Sequence, residues 1–414
     1  WEKQGKHLAA RQEVQKALDL YYELIEKEGK SHLIDEQALA YRRLARTLLS
    51  LGEANPSREA CNQAMKRYKE LWSKDQKGPW LDEVSRTQVV HSAVSVVLKE
   101  YGLADEEIQR SQDHFFSMLD QGKAEYFDDV FDTAMQRAQN FIRTSQWQKA
   151  NDELTRLFEL VRRTSAQFEN VDFRESQTRV LKVRAQVFSK QENFKDAYND
   201  YDTAIQTLQS LVVEESQFHL GGSLADLFRE RANMLLSAGH TEPALGDLAQ
   251  AAQVLSVLLS QGRNELRRPL ARVVQERSQI YIGQSELGAA VEDLNLGIEL
   301  LMSLLAESDD VEVFAELANM MAQRGRCYHQ AQQTELASAD FERAVQLFTR
   351  LVEQQGRQDL SATLAECLLS HLSLSGQGVD DPQRLQALVR AVRLVTQQAK
   401  DGKPAEESFV IDAV

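Results

Sequence analysis

Residues able to do chemistry occur along this chain, but nowhere do they converge. The eight histidines and three cysteines are scattered. Cys327 and His329 lie two positions apart. On a helix that spacing turns two side chains about 200° away from each other, so the pair cannot share one metal ion or one substrate. Cys327 therefore reads as a packing residue. The acidic runs Asp105-Glu106-Glu107 and Ser308-Asp309-Asp310 fall where helices are expected to start. Carboxylates there offset the positive end of the helix dipole, a more ordinary role than metal ligation. The chain has no Gly-rich phosphate loop ending in Lys-Ser/Thr, no His-Glu-x-x-His, no Cys-x-x-Cys and no Gly-x-Ser-x-Gly. The expectation is a protein that is not an enzyme, with no cofactor and no metal.

Composition narrows the partners. Of 414 residues, 48 are Lys or Arg and 63 are Asp or Glu, a formal net charge of −15. Nucleic acid and anionic membrane surfaces both call for clustered Lys and Arg, so neither is expected as the main partner. Cys61, Cys327 and Cys367 are odd in number and far apart. That argues against a disulfide framework and for a reducing, cytoplasmic setting. No apolar run approaches a membrane span, and no signal peptide is visible. The first residue is Trp1 rather than Met, which suggests a processed chain or part of something longer.

Positioning falls to helices. With six prolines, nineteen glycines and 43% apolar residues, and no alternating Val/Ile/Thr runs, the chain reads as all-α. Val14, Leu18, Tyr21, Leu24 and Ile25 recur at helical spacing, so residues 2–28 form one long helix stopped by Gly29. It stands as the second helix of a pair whose first is missing. The expected pairs are then 34–51 with 57–72, joined by a long turn through Pro56, and 84–101 with 104–119, the least regular, turning at Tyr101-Gly102-Leu103. Next come 127–144 with 147–164 and 173–190 with 194–213. After a break at Gly221-Gly222 come three clear pairs, with Pro269 at a helix start and the last helix ending near Gln355-Gly356. A worn eighth pair is expected at 360–374 and 382–398, opened by Asp381-Pro382. Residues 401–414 read as a flexible tail, and residues 1–400 as one superhelix.

The pairs repeat. Ala244-Leu-Gly-Asp-Leu248 is echoed by Ala290-Val-Glu-Asp-Leu294 and Ala337-Ser-Ala-Asp-Phe341. Small residues follow at Ala251, Gly297 and Ala344, and about twelve positions upstream stand Ala232/Leu235, Ser278/Tyr281 and Gly325/Tyr328. The alanine that opens each second helix stands at 60, 104, 150, 197, 244, 290 and 337. Such a pattern of small and large positions resembles the tetratricopeptide repeat, in which two helices approach where no bulky side chain intervenes. The period of roughly 46 to 47 residues exceeds the family's usual ~34, as in long-repeat bacterial relatives. The resemblance implies a right-handed α-solenoid of antiparallel helix pairs.

It also implies a ligand groove lined by the first helix of each pair. Carried over position by position, the groove presents Met135, Gln139 and Arg143, then Arg179, Lys182, Gln186 and Lys190. Further units add Arg229 and Asn233, then Arg272, Gln275 and Gln279, and finally Asn319, Arg326 and His329. This set is basic and amide-rich on an acidic body, suited to an extended, acidic protein segment whose backbone amides can hold. Glu230 and Glu276 sit where the family's chaperone-tail clamp needs Asn or a base, so that specificity is not expected. The function implied is a non-catalytic interaction scaffold. An alternative is the regulatory arm of a larger kinase, protease or ATPase, and a third possibility is a homo-oligomeric structural protein.

Overall fold

The computed structural model describes residues 2–168, 172–374 and 389. The chain divides into two compact units, Trp1–Ala204 and Ile205–Val414. The first holds α1 (Glu2–Tyr22), α2 (Ile34–Ser50), α3 (Ala54–Lys74), α4 (Trp80–Val97), α5 (Tyr101–Asp120), α6 (Phe127–Arg143), α7 (Trp147–Gln167) and α8 (Arg174–Lys190). The division falls inside α9 (Phe194–Gln209). The second unit continues with α10 (Gly221–Ser237), α11 (Thr241–Ser260), α12 (Arg267–Gly283), α13 (Leu287–Leu305), α14 (Val311–Gln330), α15 (Thr334–Thr349) and α16 (Ser361–Leu374). No strand occurs among the described residues. The expected second helix of the eighth pair and the tail lie outside them.

Local sequence explains the helices. In α6, Phe127, Val130, Phe131, Ala134, Ala138 and Phe141 recur at three- and four-residue steps, and all are buried. They join Leu154, Leu157 and Val161 of α7 and Phe115 of α5 in one apolar cluster. The signature small residues are where helix surfaces meet: Ala45, Ser92, Ala138, Ala185, Ala232 and Ser278 on first helices, and Ala150, Ala197, Ala244, Ala290 and Ala337 on second helices, have no exposed surface. A side chain would be crowded at two of the glycine close approaches. A Cβ on Gly297 would lie 2.7 Å from Met320 Sδ and 3.3 Å from Val274, and one on Gly325 would lie 3.3 Å from the Phe341 ring.

Every turn within a pair closes the same way. Gly52, Lys99, Ser145, Glu192, Gly239, Ser285 and Gln332 all take positive φ. The amide of the next residue then reaches back to close the helix end, as in Glu100 N to Ser95 O and His240 N to Leu235 O, each 2.8 Å. Among the described turns between pairs, those after α3 and α13 have no residue at positive φ, whereas those after α1, α5, α9, α11 and α15 use Gly29, Gly122, Ser216, Gly262 and Gly356. Each of these leads into a short 3₁₀ turn: Ser31–Leu33, Ala124–Tyr126, Phe218–Leu220, Asn264–Leu266 and Gln358–Leu360.

Part of the variation in repeat length has a structural cause. From Glu192 to Ser216 and from Gln332 to Gly356 the chain is one residue longer than from Lys99 to Gly122 or from Gly239 to Gly262. Only the longer segments end in a π-helical turn, Ser210–Glu214 and Arg350–Gln354. A single inserted residue is accommodated in that way without breaking a helix. Glu23–Lys27 does the same after α1.

Four sequence expectations are corrected. α3 starts at Ala54, before Pro56, because a proline in the first helical turn loses no hydrogen bond. The turn there is as short as the others. The second pair is regular: it turns at Lys99, so that Tyr101-Gly102-Leu103 open α5 instead of forming the turn. Gly221 and Gly222 are the first residues of α10 and no break. Met135 is buried in the α6 cluster, not presented on a groove.

Candidate partner-binding face

Two sets of charged contacts organise the first helices. One lies inside each pair. Arg184 and Asp200, Arg231 and Asp247, Arg277 and Asp293, and Arg324 and Asp340 form two-pronged guanidinium–carboxylate bonds of 2.5–2.8 Å. Arg137 and Glu153 stand at the same spacing, 3.5 Å apart, as do His91 and Glu107 at 2.8 Å. The first pair breaks the series with Thr47 and Gln63. These bonds are shielded from water and tie each first helix to its second. The Asp293 hydrogen bonds raise the Arg277 guanidinium above its ordinary range despite its burial, and Asp340 does the same for Arg324. The sequence carries this signal, an acidic residue three positions after the second-helix alanine of the second to seventh pairs with a base sixteen positions before it, but it belongs to no catalytic or binding motif and was not expected.

The second set joins successive first helices. In the first unit Arg42 meets Glu83 at 2.6 Å and Arg86 meets Asp129 at 2.6–2.8 Å. Arg179 lies over the Phe131 ring, 4.8 Å from its centre. In the second unit Arg229 meets Glu276 at 3.0 Å, Arg272 meets Glu316 at 2.7 Å, and Arg326 meets Glu366 at 2.8 Å. Burial opposes the charge on Arg229, but Glu276 outweighs it and raises the group. Arg268 also reaches Glu316, at 2.9 Å. Thus Arg229, Arg272 and Arg326 are spoken for by carboxylates of the next pair. The positive face expected from the arginines is locally neutralised.

The rest of the expected set separates by register. Gln139, Gln186, Asn233 and Gln279 each directly follow the buried small residue of their helix, and all four are exposed. Arg46 and Arg326 hold the same register in other pairs, also exposed. One turn further on, Arg143 and Lys190 are exposed, and no described carboxylate lies within ion-pair range of them. His329 is exposed near the end of α14, while Lys182, Gln275 and Asn319 are half-buried. Cys327 is buried, and desolvation pushes its thiol up. Among the described residues no group of three or more His, Cys, Asp or Glu could hold a metal ion. No helix among them is long and apolar enough to cross a membrane.

No protein-family model matches the sequence, and no curated protein does. Solved structures similar to it include BtubC (BKLC) from P. vanneervenii, at 17% identity over 63% of this chain and 94% of that one, with a TM-score of 0.45. The apo form of RapI is 10% identical over 89% of this chain and 99% of that one, with a TM-score of 0.49. A signal transduction ATPase with a tetratricopeptide repeat sensor, from Pyrococcus horikoshii, is 12% identical over 82% of this chain and 50% of that one, with a TM-score of 0.42. By its own pattern of small residues and its paired helices, the chain is built of tetratricopeptide-like repeats with a long period.

Proposed function

We propose that the protein is a non-catalytic interaction scaffold whose first helices hold an extended protein segment through side-chain amides. The observation that carries this reading is a shared register, exposed at Gln139 and Gln186 in the first unit and again at Asn233 and Gln279 in the second. Each amide offers both a donor and an acceptor, which matches the peptide group of an extended chain, and a helix has no need of four such residues at one register. Arg143 and Lys190 supply positive charge beside the amides of α6 and α8, and favour acidic side chains in the segment. Arg229, Arg272 and Arg326 contribute less, because an incoming carboxylate must displace a resident one.

The test is selection of random linear peptides displayed on phage against the wild-type chain and against Gln139→Ala/Gln186→Ala/Asn233→Ala/Gln279→Ala, with both shown to be folded by circular dichroism. Peptides enriched on the wild type should bind the variant at least about tenfold more weakly, since each lost amide contact contributes about 1 kcal/mol. Equal binding to both proteins would remove the amides from the reading.

A further inference from the structure

Between the turn of the α4–α5 pair and that of the α6–α7 pair lies a cleft of about 170 Å³. Its apolar walls are Val96, Phe141 and the ring of Tyr101, with Gly102 leaving one side open. Asp105 also lines it, but its carboxylate is held by Arg137 Nε at 2.9 Å. Two cations lie near the Phe141 ring, Arg137 at 5.3 Å and Lys149 at 5.6 Å from its centre. Arg137 is balanced by Asp105 and Glu153, whereas the ammonium of Lys149 meets only the ring among the described residues. Asn140, 7% exposed, also lines the cleft. Its Nδ2 donates one hydrogen to Ser92 Oγ at 3.3 Å, and its Oδ1 accepts from Gln136 at 3.0 Å. The second Nδ2 hydrogen has no partner among the described residues. The cleft therefore joins an apolar wall to a positive charge and a buried amide side chain.

We propose that this cleft binds a small monocarboxylate with an apolar body, of the size of a free aromatic or branched aliphatic acid. Sites for drug-sized ligands start at about 300 Å³, so a smaller molecule fits here. The carboxylate meets Lys149 and Asn140 while the body covers Phe141 and Tyr101. This site is independent of the amide register on the first helices.

Titration calorimetry with phenylacetate and with phenylacetamide tests it. Phenylacetate should bind saturably and the amide about tenfold more weakly, the difference expected for a charge-assisted hydrogen bond. Lys149→Met should weaken phenylacetate by a similar factor with unchanged thermal unfolding. Gly102→Leu should abolish binding by filling the cleft, because a Cβ at Gly102 meets nothing within 4 Å. The proposal is overturned if acid and amide bind alike, if Lys149→Met leaves the acid's affinity unchanged, or if phenylacetate does not bind at all. Binding of polypeptides ending in phenylalanine, without binding of phenylacetate, overturns it too.

Discussion

Gln37 shows how one residue departs from its repeat. It sits on α2 where five other first helices place Val84, Val130, Leu224, Leu270 or Leu317, all buried, and α8 places Gln177, which is only half-buried. Gln37 has no exposed surface, and neither polar atom of its amide has a hydrogen-bond partner. A buried amide left unsatisfied costs about 1–3 kcal/mol. Gln37→Leu should accordingly raise the stability of the protein by about 1 kcal/mol or more in urea denaturation, and a loss of stability would refute this account. The buried pair Arg324–Asp340 behaves in the opposite way. Arg324→Ala strands a carboxylate that is 3% exposed and should cost about 3 kcal/mol, whereas Arg324→Met/Asp340→Leu should return to within about 1 kcal/mol of the wild type. The same denaturation curves decide it. The signature alanines and Arg324 could be recognised, or at least located, from the sequence because each repeats at a constant spacing. Gln37 could not, since an amide at one buried position looks like any surface glutamine until its neighbours are in place.

At the scale of the element, the informative feature is the extra residue. Val213 is exposed within the π-helical turn Ser210–Glu214. Deleting it should let the helix close as an ordinary α-helix and give this segment the length of Gly239 to Gly262, at a cost below about 1 kcal/mol. Deleting Val257, also exposed, from α11, which has no π turn, removes a residue the turn to Gly262 needs and should cost more than about 2 kcal/mol. Thermal unfolding of the two deletions, followed by circular dichroism, checks the contrast, and equal losses would show that the π turn does not take up the insertion. The helices of the regular pairs were legible from apolar spacing. Most of their turns could be placed from the gaps in that spacing, as between 144 and 147 or 190 and 194. The residue that takes the left-handed conformation was marked only where it is glycine. At Lys99, Ser145, Glu192, Ser285 and Gln332 an ordinary residue takes the left-handed conformation, and nothing in its type announces it. For the same reason Tyr101-Gly102-Leu103 resembled a turn while the real one lay just before it.

Within each unit, the described helices pack mainly on their neighbours in sequence. In such an array stability is a sum of local terms. Gly297→Leu, which drives a side chain into Met320 and Val274, should cost about 1–3 kcal/mol. The loss should appear as faster amide exchange in α12 to α14, with α2 to α7 unchanged. Faster exchange throughout the chain would show cooperativity beyond nearest neighbours.

Sequence alone determined the helix pairs, the period and the small-residue contacts, because all three arise from spacings within about one repeat that the chain itself displays. It also picked out the first-helix arginines and amides. Only the tertiary structure decided their chemical state. Whether Arg229, Arg272 and Arg326 attract a partner or are already satisfied depends on Glu276, Glu316 and Glu366, which lie 40 to 47 residues away. Those carboxylates come within 3.0 Å only when successive first helices stack side by side. A net charge sums signs over the chain, but the field at a binding face is set by distances, and distances between repeats come from packing.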